Sequence, residues 1–323
     1  MKAMKKLLSI LCLCCFPIAA AIAQTTYPDK PIRLVVGFGP GSGADTIARV
    51  VAERLAERLK VSVIVENREG AGGSIGTAFV AKAPADGFTL LLGASPMTVT
   101  PHMQAAPAYD PVKDFVPIIK VAELPLLLIT STNAPYKTLK ELVSYAKQNP
   151  GKLSYATSGL GSPSHLSVEM IKQSTGIDVV SIPYKNVGQA MTDALAGTVS
   201  FYFPAISSAL PQVKAGKARG LAIGATKRSS KLPEVPTLSE ELGTGGLEVI
   251  TWYGVFAPAG TPRDITAKLY SELARVMEMP ETRDKLSATG VDVSVANSEE
   301  FAAQVGSDNA RYGKKVRELG LKE

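Results

Sequence analysis

Glycines at 37, 39, 41 and 43 alternate along a stretch that also holds Phe38, Ser42 and, just beyond, Asp45. Such a stretch does chemistry with its backbone. Glycine accepts positive φ and lets a ligand come close to the amides. Upstream, Ile32 to Val36 is short, apolar and β-branched, the pattern of a strand buried on both faces. Downstream, Ile47, Val50, Val51, Leu55 and Leu59 share one helical face. A helix that starts at the glycine turn presents unpaired N–H groups and its positive end, and so attracts an anion. Small-residue loops recur at three further helix starts. Residues 93–98 include Ser95; 158–165 include Ser158, Gly161, Ser162, Ser164 and His165; 184–189 open with Tyr184. They offer backbone and hydroxyl donors with little charge, which suits a small carboxylate held by neutral donors and water. Phe38, Tyr184, Tyr202 and Phe203, the last followed by Pro204, supply apolar walls. The plain alternative for each loop is a βα turn that binds nothing, and for each wall ordinary packing.

Other chemistries find less support. The two histidines are His102 and His165. His165, in the first turn of a helix, reads either as a neutral donor to an anion or as a packed structural residue. Gly72-Gly73-Ser74-Ile75-Gly76 matches the hydrolase elbow in letters, but an elbow follows a strand and Ser74 follows a glycine turn. Gly39-Pro40-Gly41-Ser42-Gly43-Ala44 fits a relaxed dinucleotide fingerprint, with Glu66 where a ribose-binding acid belongs. An exported dinucleotide-dependent oxidoreductase is therefore the alternative function. Pro40 stiffens the turn that would hug a pyrophosphate, and export separates the chain from freely exchanging cofactor. No zinc, EF-hand or Walker motif occurs, so neither metal nor cofactor is expected, and no catalytic residue is assigned.

These loops must be positioned by a core, and the 323 residues, 46% of them hydrophobic, suffice for two domains. Lys2, Lys5 and Lys6 precede an apolar run from Leu7 to Ile18 and a small-residue site at Ala21-Ile22-Ala23. That is a secretory signal over residues 1–23, too short to span a bilayer. All three cysteines, Cys12, Cys14 and Cys15, fall inside it, so the mature chain has neither disulfides nor thiolate sites. Without the three lysines, 32 basic residues face 29 acidic ones, and the net charge falls from +6 to +3. The remaining basic residues are dispersed, which argues against a nucleic-acid partner. Strands and helices alternate along the rest. The fold class expected is α/β, with two open α/β domains joined by two crossings, near 122–128 and 218–226, around a central cleft. Domain I takes 24–124 and 222–323, domain II 125–221.

An ordered series of motifs adds to this reading. Tyr27-Pro28-Asp29-Lys30-Pro31-Ile32-Arg33, the Gly37–Asp45 loop, Val65-Glu66-Asn67-Arg68 and Pro84-Ala85-Asp86-Gly87 resemble the Bug family, the periplasmic receptors of tripartite tricarboxylate transporters. Tyr109-Asp110-Pro111, Pro183-Tyr184-Lys185, Leu232-Pro233-Glu234-Val235-Pro236 and Ala257-Pro258-Ala259-Gly260-Thr261-Pro262 continue the likeness over nearly the whole mature chain. The resemblance implies a periplasmic binding protein of the type II-like fold, a non-enzymatic monomer. It would close on a carboxylate between Phe38–Asp45 and Ser158–His165 and deliver it to membrane transporter subunits. An orphan receptor signalling to a membrane sensor would share the fold. Many relatives carry Asp-Asn where this chain has Pro204-Ala205, which implies weaker selection for amino-bearing ligands.

Overall fold

The computed structural model describes residues 27–159, 161–243, 250–318 and 320. The expected signal over 1–23 lies outside them. β1 (Ile32–Val36) leads into α1 (Gly43–Leu59), then β2 (Val63–Asn67), α2 (Ser74–Ala81), β3 (Thr89–Ala94) and the short α3 (Thr100–Met103). β1 pairs in parallel with both β2 and β3, as its buried apolar run requires. On α1, Ile47, Ala48, Val51, Ala52 and Leu55 are buried at helical spacing against the sheet. Its first turn is capped by Ser42, and it ends at Lys60 with φ 56°.

β4 (Phe115–Pro125) and β5 (Leu127–Ser131) are nearly continuous but belong to different sheets. α4 (Leu139–Gln148), β6 (Leu153–Thr157), α5 (Pro163–Thr175), β7 (Val179–Pro183), α6 (Val187–Ala196), β8 (Phe201–Tyr202), α7 (Ile206–Lys214), β9 (Ala218–Ile223) and α8 (Leu238–Leu242) follow. β10 (Ile250–Pro258), α9 (Arg263–Glu278), α10 (Pro280–Ala288), β11 (Asp292–Ala296) and α11 (Ser298–Glu318) complete the chain.

The first sheet has the order β11-β4-β10-β3-β1-β2, the second β7-β6-β8-β5-β9. Both are mixed. β10 runs antiparallel to β3 and β4, and β5 antiparallel to β8 and β9. β6 lies between β7 and β8, parallel to both, as β1 lies between β2 and β3. The loops after β1 and β6 therefore occupy equivalent places at the carboxyl ends of parallel strands, where ligands of open α/β sheets bind. Each sheet with its helices forms one lobe.

The return crossing differs from the sequence reading. β9 stays in the second sheet through Ile223, whose N–H donates to Pro236 O at 2.8 Å. α8 then packs its Leu238 into the second lobe's core. The chain is therefore still in the second lobe at Leu242 and in the first sheet from Ile250, so it does not return near 218–226. A capping box at Thr237 and Glu240 holds α8 in place, and its five residues are too few for periodicity to reveal.

Candidate functional site

Three helix starts face a cavity of about 230 Å³ between the lobes. At α1, the Ser42 hydroxyl accepts the Asp45 N–H (3.2 Å). At α5, the Ser162 hydroxyl accepts the His165 N–H (3.3 Å), and Pro163 has no N–H to satisfy. At α6, the Asn186 side chain accepts the Gln189 N–H (3.1 Å). Each cap thus takes the third N–H and leaves the first two positions. Among the described residues, the N–H groups of Gly43, Ala44, Ser164, Val187 and Gly188 have no partner, and all five residues line the cavity. α7 adds a fourth helix start, through Ala205 and Ser208. Each such end carries roughly half a positive charge. No Asp, Glu, Lys, Arg or His lines the cavity among the described residues. Among the described residues, the cavity gathers anion-attracting donors without a cation.

Two tyrosines complete the wall. Tyr202 comes from β8 and Tyr253 from β10, so each lobe contributes one. Burial pushes the Tyr202 phenol up to about 12, with the Ser164 hydroxyl partly offsetting it. Burial, then the proximity of Tyr202, raises Tyr253 further. Both stay protonated and keep a hydroxyl on the cavity wall. Thr251 and Tyr253, two apart on β10, face the cavity, while Trp252 turns away and donates to Asp308 (2.8 Å).

The residues singled out from sequence divide into groups. Phe38, Gly41, Ser42, Gly43, Ser158, Ser164 and Pro204 line the cavity. Gly39 and Tyr184 line a neighbouring compartment of about 240 Å³, which Phe38 and Ser158 share. Asp45 stands behind the loop. Its carboxylate accepts from Gly41 N–H (3.0 Å), the Asn67 amide (3.0 Å) and Arg49 (2.9 and 3.0 Å). Burial works to raise its pKa, but Arg49, the Gly41 N–H and Asn67 together hold it below the usual carboxylate range. It braces the turn. Ser162, fully buried, pairs with Thr157 Oγ1 at 2.7 Å. His165 is also buried; its Nδ1 accepts the Gly161 N–H at 3.4 Å, which leaves the ring proton on Nε2. Of its two readings, these contacts are those of the packed one. Gly161, at φ +74°, sits against Met103 and Thr100 of the first lobe. Ser95 is buried at the end of β3, where its carbonyl accepts the Thr98 hydroxyl (2.7 Å). Phe203 is core, buried in the same second-lobe cluster as Tyr155 and Phe201.

Tyr253, Thr251, Ser208, Met191, Gln212 and Leu126 line the cavity without having been singled out. The signal for Tyr253 is the aromatic pair Trp252-Tyr253 at the head of an apolar strand. The dinucleotide alternative loses its acid: Glu66 is paired with Arg68 (2.6 Å) and Arg33 (3.7 Å).

The lobes touch around the cavity. Ser208 Oγ donates to Gly41 O across the cleft (3.0 Å). A Cβ on Gly43 would meet Ala205 Cβ at 3.0 Å and Tyr253 Oη at 3.2 Å. Leu166 of α5 packs on Val99, Met103 and Val316 of the first lobe.

Comparison with known proteins agrees with this architecture. Residues 47–321 match the model of the tripartite tricarboxylate transporter family receptor. Protein BugT of Bordetella pertussis is 35% identical over 307 residues, 94% of each chain. The solved periplasmic binding protein BugD shares 34% identity at a TM-score of 0.88, covering 92% of this chain and 99% of that one. Rpa4515 of R. palustris, solved with adipate, shares 33% at 0.87, covering 91% and 98%. A fold of two sheets with a cleft between them, and a match across most of the chain, place it in the tripartite tricarboxylate transporter receptor family, whose members are periplasmic solute-binding proteins.

Proposed function

We propose that this chain is an exported receptor that closes its two lobes, acting as two hinged domains, on a small organic carboxylate. The loaded form would then be presented to membrane subunits of the tripartite tricarboxylate type. The observation that carries the reading is the convergence of helix-start N–H groups from both lobes, unpaired among the described residues, on a cavity whose described lining holds no ionised side chain. A carboxylate satisfies those donors and the summed helix dipoles at once. An ammonium group would find neither: Asp45, the acid of the glycine loop, is saturated by its own partners. The adipate held by a relative of similar length supports the same ligand class. Residues 1–23 fit a cleavable signal, which gives periplasmic placement, and a monomer suffices because both jaws come from one chain.

The test is thermal unfolding of protein first unfolded and refolded to strip bound ligand, against a panel of organic acids. A true ligand at about 100 times its Kd stabilises by roughly 2.7 kcal/mol, read as a rise of several degrees in Tm. A panel without any such rise, alongside stabilisation by a dinucleotide, sinks the receptor reading.

A further inference from the structure

We propose that Phe38 is a partition that sets the length of acid the cleft accepts. The proposal rests on the reading of the cleft as a carboxylate site. Two compartments of similar size, about 230 and 240 Å³, lie side by side. Phe38, Ser158 and Val187 line both, so these three residues form the constriction between them. Ser158 and Val187 come from the second lobe. Of the three, Phe38 alone comes from the first. The ring tip, Cζ, lies 3.0 Å from where a Cβ on Gly73 would stand, so it rests on the bare backbone of the Gly70–Gly73 turn.

The compartments differ in character. Among the described residues, the inner one has the free N–H groups and no ionised side chain. The outer one is bounded by Gly37, Gly39, Gly70, Tyr184 and two exposed ions, Glu69 and Lys185. Tyr184 is tied to Asp193 (2.7 Å). Among the described side chains lining the two compartments, Lys185 is the one cation. A carboxylate seated on the starts of α1 and α5 runs its chain along the inner walls until it meets the ring. Up to that point each methylene that finds an apolar wall adds about fourfold to affinity. Past it, the chain must displace the ring or stay in solvent. Removing the ring joins the compartments and brings a distal carboxylate under Lys185.

Calorimetry on refolded, ligand-stripped protein with the unbranched α,ω-dicarboxylates from succinate to sebacate tests this. In the wild type, affinity rises with length only up to a short acid and gains nothing from there to sebacate, since the further methylenes find no wall without displacing the ring. Phe38→Ala moves that limit at least two methylenes toward longer acids, while Phe38→Leu, which keeps most of the bulk, does not. Adding Lys185→Gln to Phe38→Ala weakens the long acids about threefold or more, by loss of the cation, and leaves succinate unchanged. Wild-type protein whose affinity keeps rising up to sebacate overturns the partition without any variant. So does a Phe38→Ala protein that loses affinity equally at every length, because the ring would then be only a contact wall. If no acid binds the wild type at all, the carboxylate reading itself falls, and the partition with it.

Discussion

Asp45 and His165 stand in the first turns of α1 and α5, and both are committed to the protein. Asp45 ties Gly41, Arg49 and Asn67 into one turn, so it fixes the donors at the start of α1 instead of competing for them. His165 fixes the Gly161 amide from below. Burial is the first cause that lowers its pKa; Lys172 adds to this and Glu169 opposes it. The imidazole is therefore neutral in the fold and readily protonated only in the unfolded chain. Its stabilising contribution is complete above the unfolded value of about 6.5 and is lost as pH falls below it. We expect the Tm of the wild type to drop between pH 7.5 and 5.5 by more than that of His165→Gln. Equal drops in the two proteins would remove His165 from the pH dependence.

The decisive element is α1, because its first residues meet the other lobe. Gly43 is helical, and alanine there suits an isolated helix better by roughly 1 kcal/mol. The added methyl, however, meets Ala205 of the second lobe at 3.0 Å and the Tyr253 hydroxyl at 3.2 Å. Gly43→Ala is therefore expected to leave Tm unchanged or slightly raised without ligand, while affinity for the best acid of the panel falls about tenfold or more, a cost near 1.4 kcal/mol. Thermal unfolding with and without ligand separates the two effects. A variant that loses stability and affinity together would point to damage in α1 itself. The glycine at 43 is thus explained by the approach of a second lobe, not by backbone conformation.

At the scale of the whole molecule, closure needs contacts that the ligand does not make. Leu166 on α5 packs against Val99, Met103 and Val316, and the Ser208–Gly41 hydrogen bond spans the cleft rim. Leu166 is only half-buried, so truncation to alanine removes about 1 kcal/mol of apolar contact. That loss falls on the closed arrangement, because the partners lie in the other lobe. We expect Leu166→Ala to increase the radius of gyration of the ligand-free protein by small-angle scattering and to weaken ligand binding about fivefold. Scattering that matches the wild type, with or without ligand, would place the contact outside the closing interface.

Much of this was legible in the residues. The β1–α1 unit announced itself through a β-branched run, a glycine turn and a 3.6-residue apolar period, and Ser42, Gly43 and Ser164 followed as helix-start residues on the cavity, with Ser158 in the loop before one of them. Local rules suffice there, because an unpaired N–H belongs to its own helix. The ordered motifs carried the family for the same reason. Four features had to wait for the tertiary structure. Whether Asp45 and His165 face the cavity depends on partners 4 to 22 residues away. That Tyr253 meets Tyr202 depends on the packing of one lobe on the other, since β10 and β8 belong to different sheets. The late return of the chain after Leu242 depends on a five-residue helix held by a capping box. The division of the cleft at Phe38 depends on one ring resting on one glycine. Sequence alone determined that helix starts would offer anion-binding donors. Only the packing of two lobes decided which of them converge, since convergence is a relation between segments that no local pattern encodes.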